Sequence, residues 1–145
     1  IKKEDFNKNY IVQDFIKGQE YHLDILNDLN GNYITSCAKK KISMRSGETD
    51  KALVIYENKL KNLCKKISDN SKHVGNLDCD IIIKDNNFYI IDFNPRFGGG
   101  YAFTHLAGLN YLKSIIYSLA GKKYNLPKKP KFIKAAKTIN IKICK

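Results

Sequence analysis

Four side chains with period-two spacing carry the oxygen chemistry of this chain. In the stretch 75–100, GNLDCDIIIKDNNFYIIDFNPRFGGG, they are Asp78, Asp80, Asp92 and Asn94. Carboxylates gathered on one surface repel, and like charges directly opposite one another destabilise a sheet. A divalent cation, raised pKa values or exposure to water would each relieve that repulsion. Oxygen ligands of this kind suit Mg²⁺ and Mn²⁺. Arg96 follows Asp92 within four residues, and its planar fork matches a pair of phosphate oxygens. The run Gly98, Gly99, Gly100 lets a backbone approach a neighbour closely; with no Lys-Ser/Thr after it, it is not a Walker loop. Acids, an arginine and a glycine run are what a metal–nucleotide phosphate site requires. An exposed hairpin with a solvated acidic face is the other reading that composition leaves open.

Alternation positions these groups. The runs Leu77–Lys84 and Phe88–Asn94 are rich in Ile and aromatics, as strands are, and Asp85, Asn86 and Asn87 between them are turn formers. A turn centred on Asn86 sets Asp78 opposite Asn94 and Asp80 opposite Asp92. One face then carries Asp78, Asp80, Asp92 and Asn94, and the other Cys79, Ile81, Ile83, Tyr89, Ile91 and Phe93. A slip by one residue would put acids among the apolar side chains, so the pattern itself fixes the register.

The motif IIDFNPRFGGG resembles the closing motif of the ATP-grasp ligases, with the carbamoyl-phosphate synthase-like branch the nearest in pattern. That family has an acid, an Asn and an Arg in (E/D)-x-N-P-R and a further metal ligand on the preceding strand. The resemblance therefore implies that Asp78, Asp92 and Asn94 hold Mg²⁺ (or Mn²⁺) and that Arg96 stabilises charge on a transferred phosphoryl group. The family usually has Glu where this chain has the shorter Asp92. Earlier in the chain, the segment matching Gln13-Asp14-Phe15-Ile16 is the hinge that faces adenine, through the main chain at Gln13 and Phe15. Glu20 matches the acid that takes the ribose hydroxyls, a role suited to a carboxylate that accepts two donors. Arg45 stands where related ligases carry a basic residue that reaches substrate or phosphate, and Met44 is a core plug or a wall of the adenine pocket. Thr104 and His105 follow the motif where an acceptor site would be shaped.

The elements around these residues read as follows. Residues 10–16 form a strand and Gly18 a turn. Residues 20–27 alternate, with Tyr21, Leu23 and Ile25 on one side and Glu20, His22 and Asp24 on the other. Asn30-Gly31 is a hairpin signal, from which 32–38 return antiparallel. Residues 39–48, KKKISMRSGE, are a polar, basic loop. Thr49 or Asp50 caps a helix to about Ser68, with Ala52, Ile55, Tyr56, Leu60, Leu63 and Ile67 at helical spacing. A buried helix covers 102–120, ended by Gly121. Pro127 and Pro130 flank a lysine-rich linker, and AAKTINIKI is a final strand for the sheet edge. The expected class is α+β: the C-terminal subdomain of an ATP-grasp fold, mainly an antiparallel sheet with helices packed on one face, in a single domain over 1–145.

Composition sets the remaining bounds. Hydrophobic residues make up 43% of 145 residues, enough for one domain with its own core. Net charge is +12, which raises nucleic-acid binding as an alternative. Of the 26 basic residues, Arg45 and Arg96 are the arginines and the other 24 are lysines. Lys, Asn and Ile are all abundant and no nucleic-acid motif is present, so nucleic acid is not the expected partner. No stretch reaches the ~20 apolar residues of a membrane span. Cys37, Cys64, Cys79 and Cys144 form no C-x-x-C pair and no zinc spacing with His; unpaired thiols fit a reducing, cytoplasmic setting. The expected ligands are ATP and a small carboxylate or bicarbonate. The glycine-rich loop and phosphate-binding lysines of the N-terminal ATP-grasp subdomain do not occur in these residues, so the chain reads as one part of a longer ligase.

Overall fold

The computed structural model describes residues 12–138. Six strands form one antiparallel sheet: β1 (Gln19–Asn27), β2 (Tyr33–Arg45), β3 (Glu48–Ile55), β4 (Gly75–Lys84), β5 (Asn87–Asn94) and β6 (Ile133–Ala136), ordered β5-β4-β1-β2-β3-β6. The helices are α1 (Asn58–Ser71), α2 (Tyr101–Leu106) and α3 (Tyr111–Leu119). The α+β class and the antiparallel sheet are as the sequence indicates.

The two faces bury different clusters. On one, Leu23, Ile25, Ala38, Leu77, Cys79 and Ile81 meet Leu60, Cys64 and Ile67 of α1. Each fully buried aliphatic side chain contributes roughly 1.5–3 kcal/mol there. On the other, Leu26, Cys37, Ala52 and Val54 meet Tyr101, Phe103, Leu109 and Tyr111. The helices thus lie on both faces: α1 covers one, and α2 and α3 cover part of the face that carries the acids.

The 77–94 hairpin has the expected pairing, with Asp78 opposite Asn94 and Asp80 opposite Asp92. It reaches that register by a different route. The turn is two residues long, Asp85 and Asn86, both left-handed at φ 50° and 61°, which is the twist a tight hairpin needs. One extra residue, Ile91, is then absorbed as a bulge between the Asp80–Asp92 and Ile81–Ile90 pairs. The bulge reverses the parity of the outer half of β5. Phe88, Ile90 and Phe93 lie on the α1 side, opposite Ile83, Ile81 and Cys79. Tyr89 pairs with Ile82 instead, so the expected Tyr89–Ile91–Phe93 face does not form.

Other expectations are corrected. Of the strand read over 10–16, residues 12–16 have no strand structure, and Phe15 is 93% exposed; residues 10 and 11 lie outside the described residues. The loop read over 39–48 is the second half of β2, a turn at Ser46-Gly47, and the start of β3. The helix read from 49 begins only at Asn58, because Ala52 and Val54 alternate into the core as a strand. The single helix over 102–120 is broken at Gly108 (φ 93°) into α2 and α3. Among the described residues the last strand is Ile133–Ala136, paired with β3 at the sheet edge; of the expected strand it includes 135 and 136, residues 137 and 138 are not strand, and the part beyond 138 lies outside the described residues.

Candidate nucleotide and metal site

Two rungs cross the acid-bearing face of the sheet. One runs Asn94–Asp78–Asp24–Cys37 and the other Asp92–Asp80–His22–Lys39, each residue opposite the next on a neighbouring strand. Side chains opposite one another share a face, so strand pairing alone gathers four acids, an imidazole and a lysine into one patch. The open cleft above it has a volume of about 390 Å³ and is lined by His22, Lys41, Asp78, Asp80, Asp92, Asn94 and Arg96, among others.

Burial deepens from the cleft rim toward β1. Asp92 and Arg96 are exposed, whereas Asp78 is 6% exposed and Asp24 fully buried. Asp24 is paired with the wholly buried Lys39 and accepts from Thr104 Oγ1 at 2.5 Å. Lys39 Nζ also donates to Thr104 Oγ1 at 2.8 Å, which ties α2 to the sheet. Burial alone would raise the Asp24 carboxyl, but the Lys39 cation and His22 hold it well below the usual carboxylate range.

His22 is the hub. Its Nε2 lies 3.3 Å from Asp24 Oδ1 and 2.9 Å from Asp78 Oδ1, and its Nδ1 lies 3.3 Å from Asp80 Oδ1. The Nε2 proton is aligned on Asp24, so Asp78 Oδ1 is a buried acceptor with no aligned donor. Burial and Lys39 press the imidazole pKa down, but the three surrounding carboxylates outweigh them and raise it to about 9. Lys41 Nζ donates to Asp80 Oδ2 at 2.8 Å and lies 3.5 Å from Glu20 Oε2. Burial opposes ionisation of Asp80, but hydrogen bonds from His22 and Lys41 outweigh it and lower its pKa.

The segment after β5 closes the other side. Arg96 Nη1 donates to Asp78 Oδ2 at 2.6 Å, and Asn76 Nδ2 holds the Arg96 carbonyl at 3.0 Å. A Cβ on Gly98 would stand 2.0 Å from Asp78 Oδ2, and one on Gly100 2.9 Å from the His22 ring. The glycine run therefore permits close approach to the protein's own acid and imidazole. Asn94 Nδ2 donates to Asp92 Oδ2 at 2.6 Å.

Asp78, Asp92, Asn94 and Arg96 all line the cleft. Met44 lines it too, and also borders an adjoining depression with Glu20 and Lys41. Gln13 and Phe15 lie in the irregular segment before β1 with exposed side chains. Arg45 is not brought into the cleft: its Nη2 pairs with Asp50 Oδ1 at 2.5 Å across the β2–β3 hairpin. Thr104 lies beneath the acids as a buried anchor, and His105 is exposed. Sequence reading missed Lys39 and Lys41 as site residues, and it left His22 and Asp24 as one face of a strand. The available signal was their phase: Lys39 and Lys41 continue the period of Cys37 on a strand that faces Glu20, His22 and Asp24.

Residues 6–142 match the family described as "ATP-grasp in the biosynthetic pathway with Ter operon". No curated protein matches the chain. Among solved structures, a pyruvate carboxylase from Rhizobium etli with the allosteric activator acetyl coenzyme-A aligns with a TM-score of 0.61 at 19% identity. The alignment covers 78% of this chain and 12% of that one. An L-amino acid ligase from Bacillus licheniformis aligns with a TM-score of 0.53 at 20% identity, over 70% of this chain and 28% of the other. At these identities the likeness is one of fold, and the chain spans only a small part of each neighbour's length. Among the described residues no helix is long and apolar enough to cross a membrane.

Proposed function

The chain belongs to the ATP-grasp family of the biosynthetic pathway with Ter operon, and from this premise we propose that it is the ATP- and metal-binding part of a carboxylate–amine type ligase with a carbamoyl-phosphate synthase-like plan. In this reading the γ-phosphoryl group of ATP passes to a carboxylate oxygen of a small acid or of bicarbonate, and ADP leaves. An amine or similar nucleophile then bonds to the acyl carbon and displaces phosphate.

The observation that carries the proposal is the pair of rungs Asp78–Asn94 and Asp80–Asp92, with Arg96 on Asp78. The donor set fits a hard cation: Asp78, Asp92 and Asn94 offer oxygen ligands, and Asp78 Oδ1 is buried without an aligned donor. These three residues would hold Mg²⁺ or Mn²⁺, which would supply charge neutralisation for the β- and γ-phosphates. Arg96 would stabilise charge on the transferred phosphoryl group. Glu20 would accept the ribose hydroxyls. The main chain at Gln13 and Phe15 would face adenine, with Met44 as a wall. Arg45 would meet an anionic substrate by exchanging Asp50 for it. An N-terminal ATP-grasp subdomain of the same protein would supply the remaining phosphate contacts and close over the nucleotide, excluding water.

The test measures Mn²⁺ binding by electron paramagnetic resonance, and ADP release, on the full-length protein. Asp78→Asn and Asp92→Asn should each weaken Mn²⁺ by about tenfold or more. Unchanged Mn²⁺ affinity in both variants would remove the metal site, and ADP release independent of any carboxylate substrate would remove the ligase assignment.

A further inference from the structure

The acidic residues of this chain end at Asp92, whereas 11 of its 26 basic residues come after it. Nearly all of the net charge of +12 therefore belongs to the last third of the sequence, segregated rather than spread evenly. The same stretch carries apolar side chains that the fold leaves outside. On α3, Tyr111 and Ser114 are buried, while Leu112, Ile116 and Leu119 recur at successive helical turns on an exposed stripe. Ile116 and Leu119 are 62% and 68% exposed. Leu106 at the end of α2 and Phe132 are exposed as well. The Lys131 amide donates to the Ala107 carbonyl at 2.9 Å, which sets Phe132 beside that end of α2. Lysines frame the stripe. Lys113 lies over the rings of Tyr117 and Tyr124, and the Lys122 amide bonds the Tyr117 carbonyl where α3 ends, with Lys123 next in sequence.

We propose that this side of the molecule docks on an anionic lipid surface, with α3 lying in the headgroup plane. The proposal is independent of the ligase reading. A stripe of Leu and Ile edged by lysines is the pattern of a helix that lies in a membrane interface, and no carboxylate of this segment opposes an anionic bilayer. The chemistry of the surface selects the occupant. Symmetric pairing with a second copy would set like charges together. A nucleic acid would take the lysines but leave Leu112, Ile116 and Leu119 in water. None of these apolar side chains borders the cleft or the depression described above. They protrude, and a fluid interface accepts protruding apolar groups without the preformed complement that a folded protein partner must supply. Leucine and isoleucine would enter the acyl boundary, and the lysines would meet lipid phosphates.

Binding of the full-length protein to vesicles is measured by cosedimentation, with phosphatidylcholine alone and with an equimolar mixture of phosphatidylcholine and phosphatidylglycerol. The mixed vesicles should bind at least about tenfold more tightly. Ile116→Ser with Leu119→Ser, and separately Lys122→Glu with Lys123→Glu, should each lower the partition coefficient on mixed vesicles by about tenfold or more. These four side chains are exposed, so circular dichroism should show an unchanged fold. The same charge change on α1, Lys61→Glu with Lys66→Glu, should cost far less; an equal loss there would reduce the effect to net charge and overturn the proposal. Equal affinity for both vesicles would overturn it, as would binding that the Ile116–Leu119 pair leaves unchanged. Binding to neither vesicle would mean that the rest of the protein covers the stripe, which also overturns it. So would a single-stranded RNA of mixed sequence that binds more tightly than mixed vesicles and loses affinity only in the Lys122–Lys123 pair.

Discussion

Nε2 of His22 stands 2.9 Å from Oδ1 of Asp78, so the inner acid of the cleft shares its charge with an imidazole ring. Burial and Lys39 oppose the ring's proton, but Asp24, Asp78 and Asp80 raise its pKa from 6.5 to about 9. A folded-state pKa above the unfolded value stabilises the fold through the charged form. That contribution is complete below about 6.5 and is lost as pH rises through about 9. In EDTA, the unfolding free energy of the full-length protein should therefore fall between these pH values, and His22→Gln should flatten the slope. Imidazole NMR should give a His22 midpoint near 9 without metal. Mg²⁺ held at Asp78 should lower that midpoint, since a second cation opposes the proton. A midpoint near 6.5 in EDTA would contradict the arrangement.

Lys39 and Asp24 are both wholly buried, with Thr104 bonded to each. Removing one partner of a buried pair leaves an uncompensated charge, which costs roughly 3–5 kcal/mol. Lys39→Met should lower the unfolding free energy by about that much in urea titration, and Asp24→Leu combined with it should recover a substantial part. Additive losses in the double variant would show that the two residues do not act as a pair.

Gly98 leaves no space for a methyl group beside Asp78. Gly98→Ala should push the Asp78 carboxylate out of place and weaken Mn²⁺ binding while the fold stays intact. At Gly47, nothing stands within 4 Å of an added Cβ, but its φ of 79° strains any side chain there, so Gly47→Ala should cost stability of the β2–β3 turn and leave Mn²⁺ affinity alone. Equal Mn²⁺ affinity in both variants would mean that Asp78 is not a ligand.

Arg96→Lys keeps the charge but loses the planar fork. Loss of one preorganised donor to developing charge costs about a hundredfold in turnover. ADP release by the full-length Arg96→Lys variant should drop by about that factor, with a smaller change in ATP affinity. A variant that turns over normally would take Arg96 out of the phosphoryl-transfer site.

The legible and illegible parts of this chain differ for physical reasons. Asp78, Asp80, Asp92 and Asn94 could be placed from sequence because a strand tolerates polar groups at every second position only on one face. The Ile91 bulge was hidden, since either parity of β5 presents apolar residues to α1. Lys39 and Lys41 read as a loop because hydropathy assigns lysines to solvent. Here their charges are compensated across the sheet by Asp24, Asp80 and Glu20, information that lies on a neighbouring strand. Residues 49–55 passed for a helix because Ala52, Ile55 and Tyr56 also fit a 3.6-residue repeat; pairing of β3 with both β2 and β6 decides for strand.

The contact between Arg96 and Asp78 acts as a latch. In the proposed site, a cation on Asp78 Oδ1 draws the carboxylate's charge away from the guanidinium on Oδ2, and a phosphate that takes Arg96 frees Oδ2 for the cation. Either arrival alone weakens the pair without replacing it in full, whereas the two together exchange one ion pair for two. Metal and nucleotide should therefore bind synergistically, each tightening the other by the same factor, as thermodynamic reciprocity requires.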